Sequence, residues 1–280
     1  MTLTEQRQTE FAERGYVVLR GLLPAEVVRG AQAAMERLVE AEAQALLVAG
    51  AIADPLRDEP FETRLYQLYA GRIESAPDSF RPELHLAELF DVFFYPPLLD
   101  VVEAELGPEL RLYPNYTARP KFPDAKRHLV LWHQDGGYTA NLGPGREVEQ
   151  LRMVNVWSPL VPAREANGCM QFVPGTHRLG VVPHEKREHY LEIPAEVLAP
   201  HLPQAVSIEL DPGDVVIFSN LLFHHGLPNR TDRIRWSLDW RYQDATQPTL
   251  RAEQGHLARS RQQPDQVVAS AADWAARRFG

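Results

Sequence analysis

From residue 109 onward the chain is a succession of short β-rich runs separated by Pro/Gly turns, and this punctuation most limits what it can fold into. The runs fall at residues 110–117, 128–133, 152–157, 170–173, 206–210, 215–218 and 234–242, and Asp211-Pro212-Gly213-Asp214 between two of them is a tight-turn sequence. Seven or eight such strands specify a sandwich or barrel, with a jelly roll the preferred form. Helical periodicity is confined to the ends. Val27, Ala31, Met35 and Leu38 recur at helical spacing after Pro24, a residue tolerated in a first turn, and Gly50 is a natural stop. A short strand at Tyr16-Val17-Val18-Leu19 precedes this helix, and a second helix is predicted over residues 97–106, ending at Gly107. A last helix is expected over 266–278, with Val267, Ala271 and Trp274 on one face. Residues 54–90 are too long for a structureless connection, so short helices, a lid or both are expected there.

No repeat, low-complexity tract or Gly/Ser linker divides residues 1–280, which read as a single domain: a jelly-roll β core carrying N-terminal and C-terminal helices. Charge and cysteine content then remove several classes of function. Lys and Arg number 29 against 38 acids, a net −9, so nucleic acid is not an expected partner. The single cysteine, Cys169, excludes an internal disulfide, a zinc ribbon and an iron–sulfur cluster. The longest apolar run, residues 45–53, is well short of the ~18 residues of a membrane span, and the polar start reads as no signal segment; a cytoplasmic protein is expected.

Within the β region, Leu131-Trp132-His133-Gln134-Asp135 sets an imidazole and a carboxylate two residues apart. On a strand these share a face and can reach one divalent ion, although a His-x-Asp pair alone is also what a structural hydrogen bond looks like. A third donor is offered by Phe223-His224-His225-Gly226, directly after a strand that ends in a turn. Further on, Arg235 and Ser237 share a strand face, and an arginine fork beside a hydroxyl is a good receptor for a carboxylate. Two histidines, one carboxylate and a nearby cation describe the facial triad of non-heme Fe(II) oxygenases, whose open positions accept a chelating 2-oxo acid and O2.

These parts resemble the phytanoyl-CoA dioxygenase family of Fe(II)/2-oxoglutarate-dependent oxygenases over most of the chain. The matching pieces are residues 11–23, Trp132-His133-Gln134-Asp135, the block from Trp157 through Asn167-Gly168-Cys169-Met170 to Pro174-Gly175-Thr176-His177, and the stretch from His224 to Arg235. The resemblance implies a double-stranded β-helix fold, with Fe(II) held by His133, Asp135 and His224. It further implies 2-oxoglutarate held by Arg235, assisted by Ser237 and adjoined by Trp157. The family spacing, an Asn five residues and an Arg eleven residues after the ligand, is met by Asn229 and Arg235 from His224 and not from His225, although His225 stands where the family has glycine. The implied activity is hydroxylation of an unactivated C–H bond with release of succinate and CO2. Desaturation, ring closure or alcohol oxidation by the same iron chemistry is the alternative. Rivals of other classes are a zinc hydrolase or lyase at the same ligands and a catalytically silent jelly-roll binding protein. O2 and a small metabolite or natural product are the expected reactants, the net charge not favouring polyanionic CoA. Selectivity is expected in residues 54–90 and 138–150; neither the substrate nor the oligomeric state can be read from the sequence.

Overall fold

The computed structural model describes residues 3–124, 129–140, 148–188 and 190–279. Thirteen strands are found among them: β1 Tyr16–Leu19, β2 Leu110–Leu112, β3 Thr117–Lys121, β4 Val130–His133, β5 Met153–Pro159, β6 Met170–Val173, β7 Glu185–Lys186, β8 Leu191–Glu192, β9 Val206–Ile208, β10 Val215–Ser219, β11 Phe223–Gly226, β12 Arg235–Asp244 and β13 His256–Arg259. The larger sheet runs β1-β10-β5-β12-β2-β13, with β3 also paired to β12, and the smaller runs β4-β11-β6-β9. All their pairings are antiparallel, which gives the jelly-roll core expected from the punctuation.

The run expected over 110–117 is two strands, because the chain turns at Pro114, where Asn115 N–H bonds back to Tyr113 O at 2.6 Å. Of the run at 128–133, the strand covers Val130–His133, and residue 128 lies outside the described residues. β13 and the small β7–β8 hairpin had no sequence signal strong enough to name them.

The alternation of β12 explains how the layers are assigned. Trp236, Leu238, Trp240 and Tyr242 are fully buried in the main apolar cluster, whereas Arg235, Ser237, Asp239 and Arg241 occupy the opposite face. The same split recurs in β1 and β10, where Val17, Leu19, Val215 and Ile217 join that cluster while Tyr16, Val216 and Phe218 join a second one between the sheets. Both faces of these strands are covered, so they read as continuous apolar runs.

The helices form the outer layer. They are α1 Leu3–Arg14, α2 Ala25–Val48, α3 Arg64–Leu68, α4 Phe90–Phe93, α5 Pro96–Leu106, α6 Asp135–Ala140, α7 Ala195–Leu198 and α8 Ala271–Ala276. The α2 stripe predicted from spacing, Val27, Ala31, Met35 and Leu38, is buried in the apolar cluster that the helices share with the larger sheet. Residues 54–90 hold α3 and three short 3-10 turns. The C-terminal helix is shorter than the pattern over 266–278 suggested: Val267 has extended backbone, and the Ser270 side chain accepts from Asp273 N–H to start α8 there. None of the helices among the described residues is long and apolar enough to cross a membrane.

α8 buries Trp274 in a cluster with His85, stacked at 4.0 Å between ring centroids, and with His256, edge-on at 5.2 Å. Burial, and then the neighbouring His85, push His256 down to about 4, and its Nε2 is buried without a hydrogen-bond partner. A histidine whose folded-state pKa is depressed contributes stability that is full above its ordinary value and lost as pH falls through the depressed one. Urea unfolding is therefore expected to show a stability loss of ~2 kcal/mol between pH 7 and 4.5 from this residue, and His256→Phe to flatten that slope. An unchanged slope in the variant would exclude His256 as its source.

Candidate metal centre

β4 and β11 are neighbours in the smaller sheet, with His133 and His224 directly opposite each other in register. Directly opposed residues point to the same face, and the two rings lie 4.1 Å apart between centroids. The adjacent residues alternate outward: Trp132 and His225 stack on each other at 4.0 Å, and His225 Nε2 meets Gln171 Oε1 at 2.8 Å. The pleat thus turns His224, which the family spacing favours, toward His133 and Asp135, and its neighbour His225 away.

Asp135 arrives by a different route from the strand alternation expected of it. β4 ends at His133, and Asp135 is the first residue of α6. Gln134 fixes this corner, its side-chain amide donating to Gly180 O at 2.8 Å and Leu221 O at 2.7 Å while its oxygen accepts from Val182 N–H at 2.9 Å. Gly136 and Gly137, which follow Asp135 in α6, meet close neighbours: a Cβ would stand 2.7 Å from the Leu221 side chain at the first and 2.4 Å from the His184 ring at the second.

His133, Asp135 and His224 each offer one donor atom, all within 4.8 Å of one another, and His133 Nε2 is 3.5 Å from Asp135 Oδ1. Each ring is fixed in one tautomer. His133 Nδ1–H donates to Leu131 O at 2.7 Å and His224 Nδ1–H to Leu222 O at 2.8 Å; since carbonyls only accept, both Nε2 lone pairs face the common point. Burial, followed by His133, pushes His224 down to about 3, so its imidazole is neutral and able to ligate. Asp135 is largely enclosed, which by itself would raise its pKa, but the Arg241 charge holds it well below the usual carboxylate range.

The other carboxylate oxygen of Asp135 is held twice, by Arg241 Nη2 at 2.7 Å and Asn155 Nδ2 at 2.6 Å. Neither residue was singled out from the sequence. The signal for Arg241 is present, since the alternation that puts Arg235 and Ser237 on one face continues to Asp239 and Arg241. Asn155 carries no local signal, because it sits among apolar neighbours in β5. Asn155→Ala is expected to lower metal affinity ~10- to 100-fold through loss of carboxylate orientation, measurable by Fe(II) titration. Unchanged affinity would make Asn155 a packing residue.

Two cavities meet at the triad. The smaller, about 80 Å3, reaches from His133, Asp135 and His224 to Trp157, Lys121 and Arg235. Arg235 is 5% exposed; its Nη1 donates to Ser237 Oγ and its guanidinium lies 5.2 Å from the Trp157 ring centre. Its Nε is buried with no hydrogen-bond partner, and burial pushes it down to about 10, which leaves it charged at neutral pH. Buried polar groups are almost always satisfied, so an orphaned N–H on a buried cation is what an anion receptor shows before its anion arrives. Lys121 Nζ lies 3.3 Å from Gly226 O in the same wall.

The larger cavity, about 250 Å3, opens on the other side of His133 and Asp135. Tyr138 forms part of its wall, edge-on to His133 with its hydroxyl accepting from Leu191 N–H at 3.0 Å. Asn115 and Arg119 also line it, while Tyr116 is packed away against His85 and Trp274. Of residues 138–150, those at 141–147 lie outside the described residues. His177 belongs to the turn after β6, with Nε2 3.2 Å from Ala12 O, and Cys169 is a buried free thiol.

A two-imidazole, one-carboxylate set with open positions is suited to Fe(II) and to a bidentate oxo acid, and the Arg235 guanidinium, its Nε without a partner, fits the far carboxylate of such an acid. The sequence model of the family described as phytanoyl-CoA dioxygenase (PhyH) matches residues 11–237. The 1-deoxypentalenic acid 11-beta-hydroxylase of Streptomyces exfoliatus is 29% identical over 251 residues, which cover 84% of this chain and 80% of that protein. Among solved structures, EvdO2 of Micromonospora carbonacea var. aurantiaca complexed with 2-oxoglutarate aligns at a TM-score of 0.62 with 24% identity, over 87% of this chain and 92% of that one. EctD from S. alaskensis with bound Fe aligns at 0.59 with 22% identity, over 88% and 78%. At these identities the two structures bear on the fold.

Proposed function

The chain belongs to the phytanoyl-CoA dioxygenase family of Fe(II)- and 2-oxoglutarate-dependent oxygenases, and on that premise we propose that it hydroxylates an unactivated C–H bond of a small metabolite or natural product in the cytoplasm. The observation that carries the reading is the meeting of His133, Asp135 and His224 at the junction of two cavities, one of them ending on a buried, unsaturated guanidinium. That a relative matched over 84% of the chain is named as a hydroxylase supports hydroxylation over other oxidations.

Bound Fe(II) with 2-oxoglutarate and O2 supplies an oxidant able to break such a bond, releasing succinate and CO2. The chain's own residues do the positioning. His133, His224 and Asp135 would hold the metal on one face, and Arg241 and Asn155 keep the Asp135 carboxylate turned toward it. Arg235 and Ser237 would grip the distal carboxylate of 2-oxoglutarate in the smaller cavity, with Trp157 closing its side. The substrate would enter the larger cavity beside His133 and Asp135 and exclude water from it.

Anaerobic addition of Fe(II) and 2-oxoglutarate is expected to produce a visible metal-to-ligand charge-transfer band that is absent in His133→Ala. A protein giving no band, and no succinate with any member of a broad substrate panel, would overturn the reading.

A further inference from the structure

Among the described residues, the wall of the larger cavity carries four arginines, Arg81, Arg119, Arg241 and Arg251, and one carboxylate, Asp135. Two of the four are already neutralised. Arg241 is paired with Asp135 at 2.7 Å, and Arg119 Nε with Asp239 at 2.6 Å. The other two are not. The Arg81 guanidinium has no hydrogen-bond or ion-pair partner among the described residues, although its backbone is fixed to β3 through the Phe80–Ala118 bridge. Among the described residues the Arg251 guanidinium donates only from Nε, to Tyr113 Oη at 3.0 Å, and lies 5.5 Å from that ring's centre with its outer nitrogens unspent. Neither residue lines the smaller cavity, so neither belongs to the 2-oxoglutarate receptor.

We propose that the larger cavity selects a substrate carrying an oxyanion, a carboxylate or a phosphate ester, which Arg81 and Arg251 grip at the end remote from the C–H bond presented to the metal. Two half-buried forks facing one space are offset most effectively by an anion, through charge-assisted hydrogen bonds in a low-dielectric wall. The chain's net −9 therefore misrepresents its pocket, which is locally cationic. Arg81 lies inside residues 54–90, where selectivity was expected. The inference relies on the oxygenase reading only in calling the occupant a substrate.

The test titrates the anaerobic Fe(II)·2-oxoglutarate protein with cyclohexanecarboxylate, cyclohexyl phosphate and neutral cyclohexanecarboxamide, following the change in the visible band as water leaves the metal. At least one anion is expected to bind ~10-fold or more tightly than the carboxamide, and the preferred anion identifies the group. Arg81→Gln with Arg251→Gln is expected to erase that preference while 2-oxoglutarate still generates the band, which also reports that the variant is folded. Equal binding of carboxamide and anions, or an anion preference that survives the double substitution, overturns the proposal. If no band forms at all, the oxygenase reading fails, and saturation-transfer NMR of the same three probes on the metal-free protein decides the anion question by the same criteria.

Discussion

His224→Ala is expected to lose more than ~100-fold in Fe(II) affinity, beyond the usual cost of losing an outer-shell contact, and with it the visible band and succinate formation; His225→Ala keeps all three. The contrast follows from the pleat. His224 faces His133 across β4 and β11, with its Nδ1–H spent on Leu222 O and its Nε2 aimed at the shared point. His225, one residue along, is turned outward against Trp132 and Gln171. Its removal costs a stacking contact and one hydrogen bond, on the order of 1 kcal/mol of stability. Iron titration monitored by the band measures both variants. The reverse pattern, with His225→Ala losing iron, would show that the register of β11 is shifted by one residue.

The second large effect is expected at Arg235. Arg235→Leu should raise the KM for 2-oxoglutarate ~10- to 100-fold, the worth of hydrogen bonds to a charged group, with Fe(II) affinity unchanged. Stability should not fall with it. Arg235 is buried, its Nε is unpaired, and no carboxylate forms an ion pair with it among the described residues, so the smaller apolar side chain removes a desolvated charge. Arg235→Lys should recover only part of the affinity, because an ammonium offers a point charge where the guanidinium offers a planar fork. A variant with lower melting temperature and normal KM for 2-oxoglutarate would make Arg235 a structural residue and leave the co-substrate without its anchor.

Much of the layered core could be read from local patterning. The α2 stripe, the turn at residues 211–214 and the strand runs after residue 150 were visible because helical and strand periodicities differ, and because Pro and Gly mark where each stops. What escaped was decided by long-range contact. α8 begins at Ser270 rather than earlier because Val267 is drawn into extended backbone, its neighbour Val268 bonding to Leu257 O beside β13. Asp135 left the strand because Gln134 is clamped by loops from residues 180–182 and 221, segments no local window contains. Asn155 reads as a polar residue between two valines in β5 until the fold brings Asp135 against it.

The sequence by itself determined which donor types are present and their order along the chain: His133 and Asp135 close together, a histidine pair far downstream, and an arginine eleven residues beyond the first of that pair. It also determined the β12 alternation that sends four apolar side chains to the helices and Arg235, Ser237, Asp239 and Arg241 to the interior. The family spacing favoured His224, but only the tertiary structure shows it facing His133 and Asp135 while His225 faces away, since that depends on strand register. It alone also revealed that an acidic chain encloses a basic pocket. Net charge sums over the surface, whereas a binding cavity is set by the few side chains that folding turns inward and by which of them it leaves without a counter-ion.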